Sequence, residues 1–253
     1  MKVAWICHRN LKPTRDEMGG AEAADRQMLA ARPDGIEVTQ LKPGGVDEEI
    51  TNFDRVVITG LYGYNSRELN LIARAKPIFK VHDEQFSGHW IYDECELIIA
   101  NNHMHKARMM KEMPQLQSHQ IVVNPGTMDD LDSLYPPEDS QYTREYVVFW
   151  AHRPAAHKGL DVALEWCQDN GREIEVMIGK PRAQVLQRMG EVSDFALFSL
   201  IFDAGPRAIM EAQLMGCNVL VNDFVGYFPD VKEVRDRLAM GAQEFWRLVC
   251  GSS

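Results

Sequence analysis

Asp203 and Glu211 lie eight positions apart in FDAGPRAIMEAQLMGCNVLVND, the first before a glycine-containing loop and the second inside a helical stretch. Eight positions is about two helical turns, so the second carboxylate follows the first along one face. A carboxylate accepts two hydrogen bonds at the spacing that neighbouring sugar hydroxyls offer. Taken alone, an acid inside a helix reads as solvated. Arg153 and Lys158 sit at a strand-to-helix junction in FWAHRPAAHKGLDVALEW. A planar guanidinium fork and a point-charge ammonium together could clamp a diphosphate, while the same two residues read equally as solvated loop charges. Gly19 and Gly20 in MGGAEAADRQ precede a helix. Such a pair lets backbone approach a ligand whose negative charge the helix-start amides favour, or makes an ordinary turn. Neither G-x-G-x-x-G nor G-x-x-x-x-G-K-[ST] occurs, so nicotinamide dehydrogenase and P-loop chemistry lack their fingerprints.

These residues need a scaffold that delivers loops to one edge. Runs rich in Val and Ile recur as VAWIC, IEVTQL, RVVITG, PIFKVH, ELIIANN and QIVVNPG. Continuously apolar strands of this kind belong in a parallel sheet covered on both faces. AEAADRQMLAA and SRELNLIARA between them have helical periodicity, so residues 1–127 read as an N-terminal Rossmann-like domain. MDDLDSLYPPEDSQYTRE breaks the pattern with prolines and acids, and residues 128–145 read as a linker. Alternation restarts over 146–253, a C-terminal Rossmann-like domain. Its strands are YVVFWAH, EIEVMIG, FALFSLIF and NVLVND, and its helices are GLDVALEWCQDNG, AQVLQRMG and a stretch from Pro206 to Gly216. VKEVRDRLAMGAQEFWRLV supplies one or two terminal helices. The expected fold class is α/β, with two Rossmann-like lobes whose parallel sheets face a central cleft, since open parallel sheets bind ligands beyond their strands' carboxyl ends.

With 253 residues the chain supplies one to two domains of about 150 residues each. Apolar residues at 45% and charged residues at 25% favour a packed core over disorder. A net charge of -10 disfavours tracking a phosphate backbone with a basic face, although a local basic cleft is compatible with it. Cys7, Cys95, Cys167, Cys217 and Cys250 are odd in number and set mostly in apolar runs, which reads as reduced thiols in a cytoplasmic protein. No apolar run reaches the roughly 18 residues of a spanning helix, so no stable membrane insertion is expected. His103 with His105, and His152 with His157, lack H-E-x-x-H spacing, and no cysteine pair has zinc spacing, so no metal is expected. HMHKARMMKEM reads as a methionine-rich core helix. Tyr62, Tyr64 and Trp90 are loop aromatics that could stack on a sugar or base or simply pack, and LYGYNSRE is the candidate acceptor-facing loop.

Together, in order and over nearly the whole chain, these segments resemble the retaining glycosyltransferases of the GT-B fold, especially glycosyltransferase family 4. MGGAE resembles the family's first glycine-rich loop. HRPAAHKGLDVALE resembles its Arg, Lys-Gly and amphipathic helix, and DAGPRAIMEAQLMGCNVLVND its two acids eight apart before a small-residue helix and a strand. KVHDE, NPGTMD and EVMIGKP stand in the expected order between them. The resemblance implies transfer of a sugar, from a nucleotide-diphosphate sugar of the UDP-sugar type to a hydroxyl acceptor, with retention of anomeric configuration. It makes 1–127 the acceptor-side domain and 146–253 the nucleotide-sugar-binding domain. It implies that Gly19 and Gly20 approach the donor phosphates and that Arg153 and Lys158 neutralise the leaving diphosphate. It places His82 near the transferred sugar, Asp203 on that sugar's hydroxyls and Glu211 on the ribose. The amides around Ala204, Gly205, Pro206 and Arg207 would serve the sugar or phosphates. No divalent metal is implied, and no cofactor beyond the nucleotide-diphosphate sugar as co-substrate. The acceptor is open among a glycan, a small molecule, a lipid-linked sugar and a modified nucleic-acid base. Two departures stand out: Asp203 replaces the family's usual Glu, one methylene longer, and Ala204-Gly205-Pro206 replaces an aromatic-Gly. The chain is also shorter than usual members.

Two other readings share the architecture. One is a catalytically silent nucleotide- or sugar-binding module. The other is a different GT-B-like enzyme, such as a sugar-nucleotide epimerase or a phosphorylase. Release of free nucleotide diphosphate with an acceptor present separates transferase from silent module, and a lysine-bound pyridoxal chromophore would mark a phosphorylase.

Overall fold

Every apolar run of the first half forms a strand of one sheet in the computed structural model, which describes residues 1–9, 20–82, 90–116, 118–128, 130–136, 143–151 and 156–251. The chain divides into two units, Met1–Asp129 with Arg237–Ser253, and Asp130–Asp236. In the first unit β1 (Lys2–Ile6), β2 (Glu37–Leu41), β3 (Arg55–Ile58), β4 (Ile78–Lys80), β5 (Leu97–Ala100) and β6 (Ile121–Val123) pair in the order β2-β1-β3-β4-β5-β6. All these pairings are parallel, with Ile6 opposite both Leu41 and Ile58. Helices α1 (Gly20–Ala30), α2 (Ser66–Arg74) and α3 (His103–Glu112) connect them.

Side chains alternate across a strand, so the two faces of this sheet carry separate cores. Ala4, Ile6, Val56, Ile58 and Ile98 pack with Leu71 and Ile72 of α2 and Met109 of α3. Val3, Trp5, Val57 and Ile99 pack with Met28 of α1 and with Phe245, Trp246 and Val249. The last three lie on the 20-residue helix α7 (Val231–Cys250), the single helix formed by the terminal segment. Trp246 donates from Nε1 to the Met28 carbonyl at 2.8 Å, and Trp5 meets the rings of Phe245 and Trp246 at 5.8 and 6.2 Å. Gly241 in the same helix has no room for a side chain, because a Cβ would overlap the Gly126 carbonyl.

Residues 237–253 thus group with the first unit, whereas the expected C-terminal domain ran from 146 to 253. The physical reason is that a six-stranded sheet buried on both faces needs more apolar cover on its second side than α1 supplies. The expected linker 128–145 differs as well. Leu131 and Leu134 are buried, and Arg235 donates to both of their carbonyls while its guanidinium lies 3.9 Å from the Tyr135 ring centroid. Residues 130–136 are thus packed into the second unit.

That unit contains the parallel sheet β10-β9-β7-β8, formed by β7 (Thr143–Phe149), β8 (Glu173–Val176), β9 (Val192–Leu197) and β10 (Asn218–Val221). Helices α4 (Leu160–Asp169), α5 (Arg182–Met189) and α6 (Arg207–Leu214) accompany it. The strand expected over FALFSLIF ends at Leu197, and Leu200 and Ile201 turn outward and are exposed. No helix among the described residues is long and apolar enough to cross a membrane.

Truncating Trp246 removes both its ring packing and its bond to Met28. Trp246→Ala should lower the unfolding free energy by about 3–5 kcal/mol, read as a shifted urea midpoint at unchanged slope. A loss below about 1 kcal/mol would show that α7 contributes little to the first unit.

Candidate functional site

In the second unit Lys158 and Asp203 follow the carboxyl ends of β7 and β9. Lys158 ends a short 3-10 turn (Ala156–Lys158) and forms an ion pair with the carboxylate of Asp203. The turn is anchored on the loop after β9, where Leu200 N–H and the Ser199 hydroxyl both donate to the His157 carbonyl, at 2.7 and 3.0 Å. Gly159 makes that approach possible. Its φ is 72°, and a Cβ there would overlap the Phe198 carbonyl. Asp203 is held through its backbone, its N–H donating to the Phe224 carbonyl at 2.7 Å and its carbonyl accepting from Gly226 N–H at 2.9 Å.

Gly205 takes φ 152°, and Pro206 caps α6, whose first residue is Arg207. Proline has no N–H, so the donors at this helix start are amides on either side of it. Glu211 lies one turn into α6 and is only 2% exposed. Its Oε1 accepts from Arg182 Nε at 2.6 Å, and the same guanidinium donates to both oxygens of Asp130 at 2.7 and 3.3 Å. Burial alone would push the Arg182 guanidinium down, but Glu211 and Asp130 hold it above its ordinary value. Sequence reading found Glu211 and missed both of its companions. Asp130 falls in the segment read as linker, and nothing in the spacing links Arg182 to an acid 29 positions away.

In the first unit His82 follows β4, and Gly20 opens α1 as an exposed residue. His82 Nε2 lies 2.7 Å from Oδ1 of Asp25, a residue of α1 that sequence reading did not single out. Lys80, also unpredicted, is 2% exposed and donates from Nζ to Asn101 Oδ1 at 2.5 Å and to the Asn124 carbonyl. Burial pushes its amine down to about 7, against a smaller opposing pull from Asp25. His105 is fully buried and accepts from Asn101 N–H at Nδ1 (3.1 Å). Its pKa falls to about 3 through burial and then through the neighbouring Lys80 and His82. Tyr64, a candidate stacking residue, is buried and donates to the Leu41 carbonyl at 2.6 Å, whereas Tyr62 is 82% exposed. Gly19 and Arg153 lie outside the described residues. Among the described residues no three His, Cys, Asp or Glu side chains group as a metal site.

No protein-family model matches the sequence, and no curated protein matches it. Solved structures do match. Anabaena Alr3699/HepE in complex with UDP superposes with a TM-score of 0.58 at 14% identity, over 98% of this chain and 95% of that one. The chain has the GT-B glycosyltransferase fold. WaaG, a glycosyltransferase involved in lipopolysaccharide biosynthesis, gives 0.58 at 11% identity over 99% of this chain and 100% of that one. An alpha-glucosyltransferase in complex with UDP and a 13-mer DNA containing a HMU base gives 0.55 at 11% identity, over 98% and 95%.

The position of Lys80 fixes a sign for pH. Its folded value near 7 lies below the ordinary 10.5, so between those values the unfolded chain binds more protons than the folded one. Wild-type stability should therefore rise from pH 7 toward pH 10 relative to Lys80→Met, by up to roughly 1.4 kcal/mol per pH unit. Paired urea titrations check this, and a difference that stays flat or falls with pH contradicts the buried-amine assignment.

Proposed function

We propose that the protein is a retaining glycosyltransferase that moves a hexose from a UDP-sugar to a hydroxyl acceptor without a divalent metal or other cofactor. The observation that carries this reading is the Lys158–Asp203 pair with the buried Glu211, at the carboxyl ends of one parallel sheet. That sheet belongs to a fold shared with glycosyltransferases solved with UDP or UDP-glucose.

In this reading the nucleotide binds the second unit. Arg182 occupies Oε1 of Glu211, and the ribose hydroxyls donate to Oε2. Asp203 accepts from hydroxyls of the sugar, and the amides around Gly205 and Arg207 serve the sugar or the phosphates. Gly19 and Gly20 approach the phosphates, and His82 faces the transferred sugar. Breaking the anomeric bond builds negative charge on the leaving diphosphate. Arg153 and Lys158 stabilise that charge more strongly as it develops, which lowers the barrier rather than merely tightening binding. The acceptor hydroxyl attacks the anomeric carbon from the face the diphosphate leaves; its oxygen bonds to that carbon as the bond to the diphosphate breaks, and a phosphate oxygen takes its proton, so configuration is retained. The acceptor is a hydroxyl-bearing glycan, small molecule or modified base; the DNA-bound alpha-glucosyltransferase gives the last of these a precedent in the same fold.

Donor hydrolysis to water serves as an assay while the acceptor is unidentified. Turnover of UDP-glucose should survive EDTA, and replacing Arg153 and Lys158 together by Ala should lower turnover far more than it weakens nucleoside binding. Loss with EDTA that magnesium restores would refute the metal-free site. Glu211→Gln should weaken UDP binding by roughly 1–3 kcal/mol, measured by calorimetry, and unchanged affinity in the folded variant would remove Glu211 from the ribose. The anomer released, read by NMR before mutarotation, should match the donor's; an inverted product would overturn retention.

A further inference from the structure

Asp25 is 1% exposed, so its carboxylate is held by protein groups rather than by water. Oδ2 accepts from the Thr59 hydroxyl at 2.7 Å, with the Cys7 thiol at 3.6 Å and the Arg9 guanidinium at 3.9 Å. Oδ1 faces His82 Nε2 at 2.7 Å. A carboxylate oxygen at that distance accepts a hydrogen bond, so Nε2 carries the proton, and in the neutral ring Nδ1 keeps its lone pair.

The surrounding bonds fix the dyad from several strands at once. Thr59 N–H donates to the Ile6 carbonyl at 3.0 Å, which ties the end of β3 to the end of β1. Arg9 donates to the Thr59 carbonyl, and Gln40 Nε2 donates to the Arg9 carbonyl at 2.9 Å. Gly60 leaves the space that His8 and Arg9 occupy; a Cβ there would come within 2.8 Å of the His8 ring. The imidazole is thus oriented by residues following β1 and β3 and by one turn of α1, independently of any ligand.

We propose that Asp25 is the positioning residue that holds His82 as the Nε2–H tautomer, making Nδ1 a hydrogen-bond acceptor for one hydroxyl of the transferred sugar. The inference rests on the donor-sugar reading of His82 given above. It adds a requirement on the substrate: the hydroxyl at that position must donate. Fluorine in its place fills similar space but donates nothing, so that donor loses the contact.

Two measurements test this, and the first needs no ligand. Long-range 1H–15N spectra of the neutral imidazoles, with His82 identified by the signal missing from His82→Gln, should show Nε2 protonated and Nδ1 bare. A protonated Nδ1 overturns the acceptor role, whether Nε2 is bare or, in an imidazolium paired with Asp25, protonated as well. The second compares UDP-glucose with its monofluoro analogues. One fluorine position should lower wild-type kcat/KM by about tenfold, and in Asp25→Asn most of that loss should vanish. Asp25→Asn should itself lower kcat by up to roughly a hundredfold while UDP affinity stays at the wild-type value. Thr59→Val, which keeps the carboxylate but removes one bond to it, should show a smaller loss of the same kind, and it covers the case in which Asp25→Asn does not fold. Equal turnover in wild type and a folded Asp25→Asn overturns the positioning role. A wild-type protein that shows the Nε2–H tautomer yet binds no nucleotide sugar sinks the donor reading, and with it the sugar-facing role of Nδ1.

Discussion

A carboxylate taken out of water must be paired, and each unit of this protein has polar structure built around one that is. Asp25 draws in His82, Thr59 and Arg9 from the ends of β4, β3 and β1. Glu211 draws in Arg182 from the start of α5, and the spare donors of that guanidinium draw in Asp130. Removing one partner of such a pair typically costs about 3–5 kcal/mol, because the charge left behind has no water to turn to. The same constraint that stabilises the site therefore limits how its side chains can be arranged, and it orders them before any ligand arrives.

The parallel sheets put those side chains where they are. Because both faces of the first sheet are covered by apolar residues, polar groups collect at the strand ends, and Lys80, Asn101 and Asn124 meet where β4, β5 and β6 end. In the second unit the ends of β7 and β9 lie side by side, which lets a short turn bring Lys158 to Asp203. Glycine sets the distance in that turn. Without the missing Cβ at Gly159, the lysine turn could not lie against the Phe198 carbonyl.

Much of the scaffold was legible, because a strand buried on both faces must be continuously apolar, and each such run in the sequence became a strand. FALFSLIF was the partial exception: its last residues are as apolar as its first, but they leave the sheet, with Leu200 and Ile201 exposed and Phe202 buried again. The destination of α7 was not legible, since an amphipathic pattern reveals that a helix has an apolar face without revealing which sheet that face covers. Spacing singled out Lys158 and Asp203, which form an ion pair, and Glu211, which is buried. It gave no sign of Arg182 or Asp130, whose pairing depends on the tertiary fold. Asp25 had a faint signal, an acid beside Ala24 and Met28 on the buried side of α1, too weak to separate from a solvated helix residue among so many alanines.

The proposed function requires the protein to bind a nucleotide-diphosphate sugar. Thermal unfolding of the full chain against a panel of nucleoside diphosphates and their sugars tests it most directly, since a ligand that binds only the folded state stabilises in proportion to ln(1 + [L]/Kd). UDP and UDP-glucose should raise the Tm with that logarithmic dependence, and nucleosides without phosphates should raise it less. A Tm unmoved by every nucleoside diphosphate and nucleotide sugar at saturating concentration would contradict it.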